Sequence, residues 1–209
     1  MLVEAIAGTP NWIAARRGML TASRMVDAAA VLKNGKPAES RVKLLQELAA
    51  EVLTGIKVDH FVTDAMRHGI EQQPHAISAY EAATGEIVGP EVFVLHPTIT
   101  GLGATPDGLV GERGLIEVKC PTPPTFVRWV TEGVVPEQHK LQMATQCACA
   151  GREWVDFAAF DPRMPAGRQL WVRRYTPSAE ELENVEKIAR TFLEELSALV
   201  QRVNEAEYA

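Results

Sequence analysis

The stretch from Ala104 to Cys120 constrains this chain more than any other. Ala104-Thr105-Pro106-Asp107-Gly108-Leu109 runs into a bend. Val110-Gly111-Glu112-Arg113-Gly114 supplies turn chemistry, and Leu115-Ile116-Glu117-Val118-Lys119-Cys120 follows. Side chains on a strand alternate faces, so Glu117 and Lys119 share one face. Ile116, Val118 and Cys120 share the other, which suits a core. A hairpin closed by this turn predicts Asp107 near Glu117.

Two carboxylates and an ammonium gathered this way can hold a divalent cation against a phosphodiester and manage the attacking water. The competing reading is structural. Pro-Asp marks turns, and an exposed strand carries Glu and Lys as a solvated pair. The motif alone leaves both readings open.

A chain of 209 residues, 46% hydrophobic and 23% charged, can bury a real core, and it fits a single domain over residues 1–209. No apolar run approaches the length that spans a bilayer. The first ten residues lack a basic region, so no secretory leader is expected. Cys120, Cys147 and Cys149 are odd in number and show no CxxC spacing, which argues against a disulfide framework or a zinc site. A reducing cytoplasm is the expected compartment, with Cys147 and Cys149 as small core residues. His60, His68, His75, His96 and His139 show no zinc-binding spacing.

The net charge of −6 is unevenly spread. Residues 1–43 are rich in Arg and Lys, whereas residues 177–209 are dominated by Glu. An enzyme with a basic inner surface and an acidic exterior has this pattern, as does an ordinary acidic protein with solvated helix faces.

Helical periodicity predicts short helices at 12–17 and after Thr21 or Ser23, whose hydroxyls are candidate caps. Longer helices are predicted at 41–54 and 64–84, with Pro74 as a kink or a new first turn. Strand signals follow at 87–95, 98–102, 108–110 and 114–120, then helices at 123–131 and 137–150. Strands at 153–160 and 169–175 precede an amphipathic helix at 178–204, striped by Leu182, Val185, Ala189, Phe192, Leu196, Leu199 and Val203. This order indicates an α/β or α+β domain built on a central mixed sheet.

Other residues carry possible chemistry. Gln142 and Gln146 are four apart, so they share a helix face. They could orient a water or a phosphate, or simply be exposed. Gly69-Ile70-Glu71-Gln72-Gln73-Pro74-His75 offers Glu71 or the Gln73 carbonyl as a hard oxygen ligand, with a surface helix as the alternative. Arg16-Arg17-Gly18-Met19-Leu20-Thr21-Ala22-Ser23 pairs arginine with a hydroxyl-rich helix start. That combination suits a phosphate, or a capped helix beside solvated arginines.

In order along the chain, these pieces resemble the lambda exonuclease (YqaJ-type viral recombinase) family of PD-(D/E)xK nucleases. The resemblance runs from about Trp12 through Arg16 to Ser23, Leu53-Thr54-Gly55, Gly69 to Pro74, Thr105 to Leu109, Glu117 to Pro121, and Gln142 to Gln146. It closes on Phe160-Asp161-Pro162-Arg163-Met164.

The resemblance implies an α/β, restriction-endonuclease-like core with a central mixed sheet flanked by helices. It implies a magnesium-dependent enzyme, with two ions and manganese as a substitute. Such an enzyme digests one strand of linear double-stranded DNA 5′ to 3′, releases 5′-mononucleotides and leaves 3′ single-stranded tails. A homotrimer, a single-strand annealing protein as partner, a role in phage-type recombination and a bacterial cytoplasmic setting belong to the same expectation. Asp107 and Glu117, with Val118, Gln73 and Glu71, match the metal site. Lys119 matches the residue that activates the water, and Gln142 joins the catalytic set. Arg16, Thr21, Ser23, Thr105 and Gln146 match DNA or 5′-phosphate contacts. The family often reads Gly-x-Glu-x-Glu-Pro where this chain has Gln73 before Pro74, so either Gln73 or Glu71 serves there. A non-catalytic scaffold that binds DNA ends, and an endonuclease of repair or restriction type, are the alternatives on the same fold.

Overall fold

The computed structural model describes residues 2–6, 9–58 and 62–207, so His60 lies outside the described residues. The chain begins with β1 (Leu2–Ile6), α1 (Pro10–Ala15) and β2 (Leu20–Thr21). A 3-10 turn at Ala22–Arg24 leads into α2 (Met25–Ala29), followed by α3 (Glu39–Thr54) and α4 (Asp64–Thr84). Four strands come next: β3 (Val92–Leu95), β4 (Leu102–Ala104), β5 (Gly108–Val110) and β6 (Gly114–Lys119). Helices α5 (Pro123–Glu132) and α6 (Glu137–Ala150) precede β7 (Trp154–Phe160), β8 (Leu170–Tyr175) and α7 (Ala179–Asn204).

The strands form two mixed four-stranded sheets, β1-β3-β4-β2 and β5-β6-β7-β8. The pairs β2–β4 and β6–β7 are parallel and the others antiparallel. Interior strand β6 is covered on both faces, as parallel-paired strands usually are. Ile116 and Val118 pack with Ala76 and Tyr80 of α4, whereas Leu115 joins the core beneath α6 and α7. The Glu117 face therefore meets a helix and not solvent.

Helix α7 is set by its sequence at both levels. Ser178 and Glu181 form a reciprocal capping box, and the Tyr175 hydroxyl donates to Glu181 at 2.8 Å. Val185, Ala189, Phe192 and Leu196 are its buried stripe. Arg41 of α3 donates to both carboxylate oxygens of Glu195 at 2.9 Å, tying α3 to α7. On the opposite face of the β7 sheet, Asp156 accepts from Tyr80 at 2.7 Å and from Arg174 at 2.9 Å.

Several boundaries depart from the sequence pattern. The expected strand at 98–102 is a turn, because the N–H groups of Thr98 and Ile99 both donate to His96 Nδ1 and Gly101 takes a φ of 92°. Pairing resumes only at Leu102. The strand expected from Ile87 begins at Val92, although Val88 still bridges Val110. Pro74 neither ends nor restarts α4, which passes through it as one helix. The capping expected of Thr21 and Ser23 is absent: the chain closes into the 3-10 turn first, Thr21 makes no side-chain cap, and the two hydroxyls sit 3.4 Å apart. The edge strand β1 carries no periodic signal in the sequence. Among the described residues, no helix is long and apolar enough to cross a membrane.

Candidate active site

The β5–β6 hairpin builds the site. Gly108 pairs with Ile116, and the Asp107 N–H donates to the Ile116 carbonyl at 3.2 Å. That register sets Asp107 opposite Glu117. One Asp107 oxygen, Oδ2, accepts from the Val118 N–H at 2.7 Å.

Glu117 is 2% exposed. Its Oε1 accepts from Lys119 Nζ and from Gln142 Nε2, the latter at 2.7 Å, and its Oε2 accepts from Gln146 Nε2. The two glutamines of α6 are thus turned inward onto the carboxylate, and the solvated Glu–Lys pair and the exposed glutamine pair are both set aside. A carboxylate offers about four lone-pair sites, so these three donors leave room for a further ligand. Gln146 Oε1 is itself buried without a hydrogen-bond partner among the described residues.

The electrostatics follow from packing two acids and one base into a poorly solvated cleft. Burial, reinforced by the charge of Glu117, pushes the Asp107 carboxyl well above its usual range, against the pull of Lys119 and the Val118 N–H. Burial pulls the Lys119 ammonium down, but Glu117 and Asp107 outweigh it and hold its pKa above the ordinary lysine value. The acids outnumber the base, and the available donors are oxygens: two carboxylates and the main-chain carbonyl that apolar Val118 can offer. That set fits a hard divalent cation. Among the described residues, no three His, Cys, Asp or Glu side chains close into a cage, so water would complete any coordination shell.

Helix α4 lends Gln73 and not Glu71. Two residues on a helix point about 200° apart, and Glu71 is exposed while Gln73 is half-buried. Gln73 Nε2 donates to Glu91 Oε2 at 3.3 Å. Nothing in the local sequence pattern marks Glu91. Burial and the charge of Glu117 raise its carboxyl pKa, against the opposing effects of Gln73 and Arg16. Nor does the sequence mark His139, which lacks zinc-binding spacing. It stacks on Phe157 with ring centroids 5.3 Å apart, and burial, then the charge of Lys119, lowers its pKa to about 4, so it is neutral beside the site.

A second cluster lies on the β3–β4 side. The Arg16 guanidinium sits 4.0 Å from the centre of the Trp12 ring and 6.0 Å from that of Phe93. Burial lowers its pKa, against Glu91 and Glu51. Among the described residues, Arg16 Nε, Trp12 Nε1 and Thr105 Oγ1 are buried with no hydrogen-bond partner. Each such group costs about 1–3 kcal/mol unless something satisfies it, and all three can donate, so the cluster suits an anion. Thr21 is brought beside β4 by the pairing of Thr21 with Gly103, while Ser23 is exposed next to it. The loop carrying Arg16 is fixed by Glu51 of α3, which accepts from the Gly18 N–H at 2.8 Å.

A family model described as the YqaJ-like viral recombinase domain matches residues 11–153. An alkaline exonuclease from Laribacter hongkongensis is similar in structure, with a TM-score of 0.86 and 39% identity over 94% of this chain and 96% of that one. Its complex with dAMP gives the same TM-score and identity over 93% and 96%. A phage-related exonuclease from Haemophilus somnus 129PT shares the fold, with a TM-score of 0.66 and 14% identity over 88% of this chain and 96% of that one. No curated protein matches the chain significantly.

Proposed function

The chain belongs to the YqaJ-like viral recombinase family, and from that premise we propose that it is a magnesium-dependent exonuclease that digests one strand of linear duplex DNA from its 5′ end. The observation that carries this reading is the convergence of Asp107, Glu117 and Lys119 in one cleft, held there by Gln142 and Gln146. The 39% identity to an alkaline exonuclease supports it, as does that enzyme's complex with dAMP, a nucleotide of the kind such a cut releases.

Asp107, Glu117 and the Val118 carbonyl would hold the cation. When bound, it neutralises the non-bridging phosphate oxygens and lowers the pKa of a coordinated water. The chain's own groups do the rest. Lys119 stays charged and can donate a hydrogen bond to the attacking oxygen or to the phosphate. Gln142 and Gln146 lock the Glu117 carboxylate, so little reorganisation accompanies the reaction.

Arg16, Thr105 and the Trp12 N–H offer donors for a terminal 5′-phosphate, with the Thr21 and Ser23 hydroxyls beside them. Water attacks phosphorus, the P–O3′ bond breaks, and the nucleotide leaves with a 3′-hydroxyl. The new phosphate stays on the shortened strand, so each cut generates the end that the anion cluster binds next. A homotrimer around the duplex, delivery of the 3′ tail to a single-strand annealing protein, and phage-type recombination in a bacterial cytoplasm complete the proposal.

The test is to incubate end-labelled linear duplex with magnesium, manganese or chelator. Mononucleotides from the 5′-labelled strand with either metal, none with chelator and none from a covalently closed circle are expected. Cutting of the circle would favour an endonuclease, and an intact linear duplex would favour a non-catalytic scaffold.

A further inference from the structure

We propose that Glu91 is a third carboxylate of the cation site, a positioning residue that acts through the ion's water shell and supplies the negative charge expected at position 73. The inference rests on the nuclease reading above.

Backbone register places Glu91. Leu95 pairs with Gly103 and Val94 with Ala104. Farther along, the Gly89 N–H donates to the Leu109 carbonyl at 2.7 Å, and Val88 bridges Val110. All four relationships share one antiparallel register, and, carried through the unpaired residues between them, that register brings Glu91 level with Asp107. Asp107 in turn lies across from Glu117 in the next hairpin. Glu91, in the segment leading into β3, and Asp107, in the bend between β4 and β5, therefore stand level with Glu117 of β6, and the charge of Glu117 is felt at both of the other carboxyls and that of Glu91 at Asp107.

The side chain of Glu91 is aimed by Gln73, whose amide donates to Oε2. A glutamate at position 73 would face Glu91 as a like charge, whereas an amide orients it. The arrangement accounts for glutamine before Pro74: the acid is carried by the segment leading into β3 instead of by α4. The Arg16 charge acts on Glu91 as well, but among the described residues no direct ion pair joins the two, and the bond that aims the carboxylate comes from Gln73. Among the described residues no three acidic side chains close into a cage, so Glu91 is assigned a place outside the inner coordination sphere. Magnesium keeps several waters, and a carboxylate at that distance accepts hydrogen bonds from them. Such outer groups change metal affinity about 10–100-fold.

The experiment measures manganese binding by the electron paramagnetic resonance of the free ion, alongside digestion of linear duplex. Glu91→Gln should weaken manganese binding about tenfold, with its melting temperature near wild type. The double variant Glu91→Gln with Gln73→Glu, which returns the charge to α4, should recover most of that loss. Unchanged affinity in Glu91→Gln, or a loss that the folded double variant does not recover, would overturn the proposal. So would a Glu91→Gln protein altered only in its preference for 5′-phosphorylated ends, since Glu91 would then serve Arg16. In each of these cases wild type still binds manganese and digests DNA, and the nuclease reading stands. A wild-type protein that takes up no manganese and leaves linear duplex intact would end both.

Discussion

Replacing Glu51 by alanine should cost about 3 kcal/mol of stability and loosen the grip on the DNA end. The Glu51 side chain is 1% exposed and accepts three hydrogen bonds: from Gly18 N at 2.8 Å, Val58 N at 3.1 Å and Lys57 Nζ at 2.8 Å. Alanine leaves two partly buried N–H groups unsatisfied, at about 1–3 kcal/mol each, while Lys57 is 29% exposed and can turn to water. Because both N–H groups are only partly buried, about 1.5 kcal/mol for each gives about 3 kcal/mol, and for a domain of this size that lowers Tm by about 6–12 °C. The protein stays folded, because domains of this kind have about 5–15 kcal/mol in hand. The variant should also lose discrimination between phosphorylated and hydroxyl 5′ ends, since Gly18 anchors the loop that carries Arg16.

The same bond set gives a pH signature. Burial works to raise the Glu51 carboxyl, but Lys57 and the two N–H groups outweigh it, so its folded pKa lies below the ordinary 4.5. Its contribution is complete above the unfolded value and is lost as pH falls through the folded one. The Tm gap between wild type and Glu51→Ala should therefore be constant near neutrality and narrow in acid. Melting followed by circular dichroism from pH 3 to pH 7 measures both. A variant that melts within about 2 °C of wild type at neutral pH, or a gap that ignores acid, would refute the reasoning.

Lys119→Ala should reduce turnover by about 10²–10⁴-fold while leaving DNA binding largely intact; wild-type digestion rates would remove its role. Arg16→Ala should slow digestion of 5′-phosphorylated ends more than of 5′-hydroxyl ends, and equal losses on both would argue that it only packs on Trp12. Phe192→Ala should lower stability by about 3–5 kcal/mol in urea unfolding, because this fully buried ring lies where α7 packs on α2, α3 and α6, under Arg41; a change below about 1 kcal/mol would contradict that packing.

The hairpin was readable from sequence because a period of two, a glycine-rich turn and Pro-Asp all act locally. The same holds for Gln142 and Gln146, whose spacing alone puts them on one face. The face they meet was not readable. Whether Glu117 points at solvent or at α6 depends on β6 pairing in parallel with β7, more than thirty residues later. Glu91 escaped for a related reason: nothing beside it in sequence marks it, and only the long-range register of β3 against β4, and of Val88 and Gly89 against β5, brings it level with Asp107. Residues 98–101 misled because a β-branched run reads as strand, while His96 Nδ1 captures the N–H groups that a ladder would need. The Thr21 and Ser23 hydroxyls misled in the opposite sense: cap chemistry was present, but the chain turned before a helix could use it.

The chain crosses from one sheet to the other between Ala104 and Gly108, with Asp107 in that crossing. Its acidic neighbours come from either bank, Glu91 leading into the first sheet and Glu117 lying within the second. Anything that grips all three therefore rivets two separately laddered slabs together. Occupancy of the cleft should make the whole molecule harder to pull apart, with slower amide exchange in β4 and β5 as the place to see it.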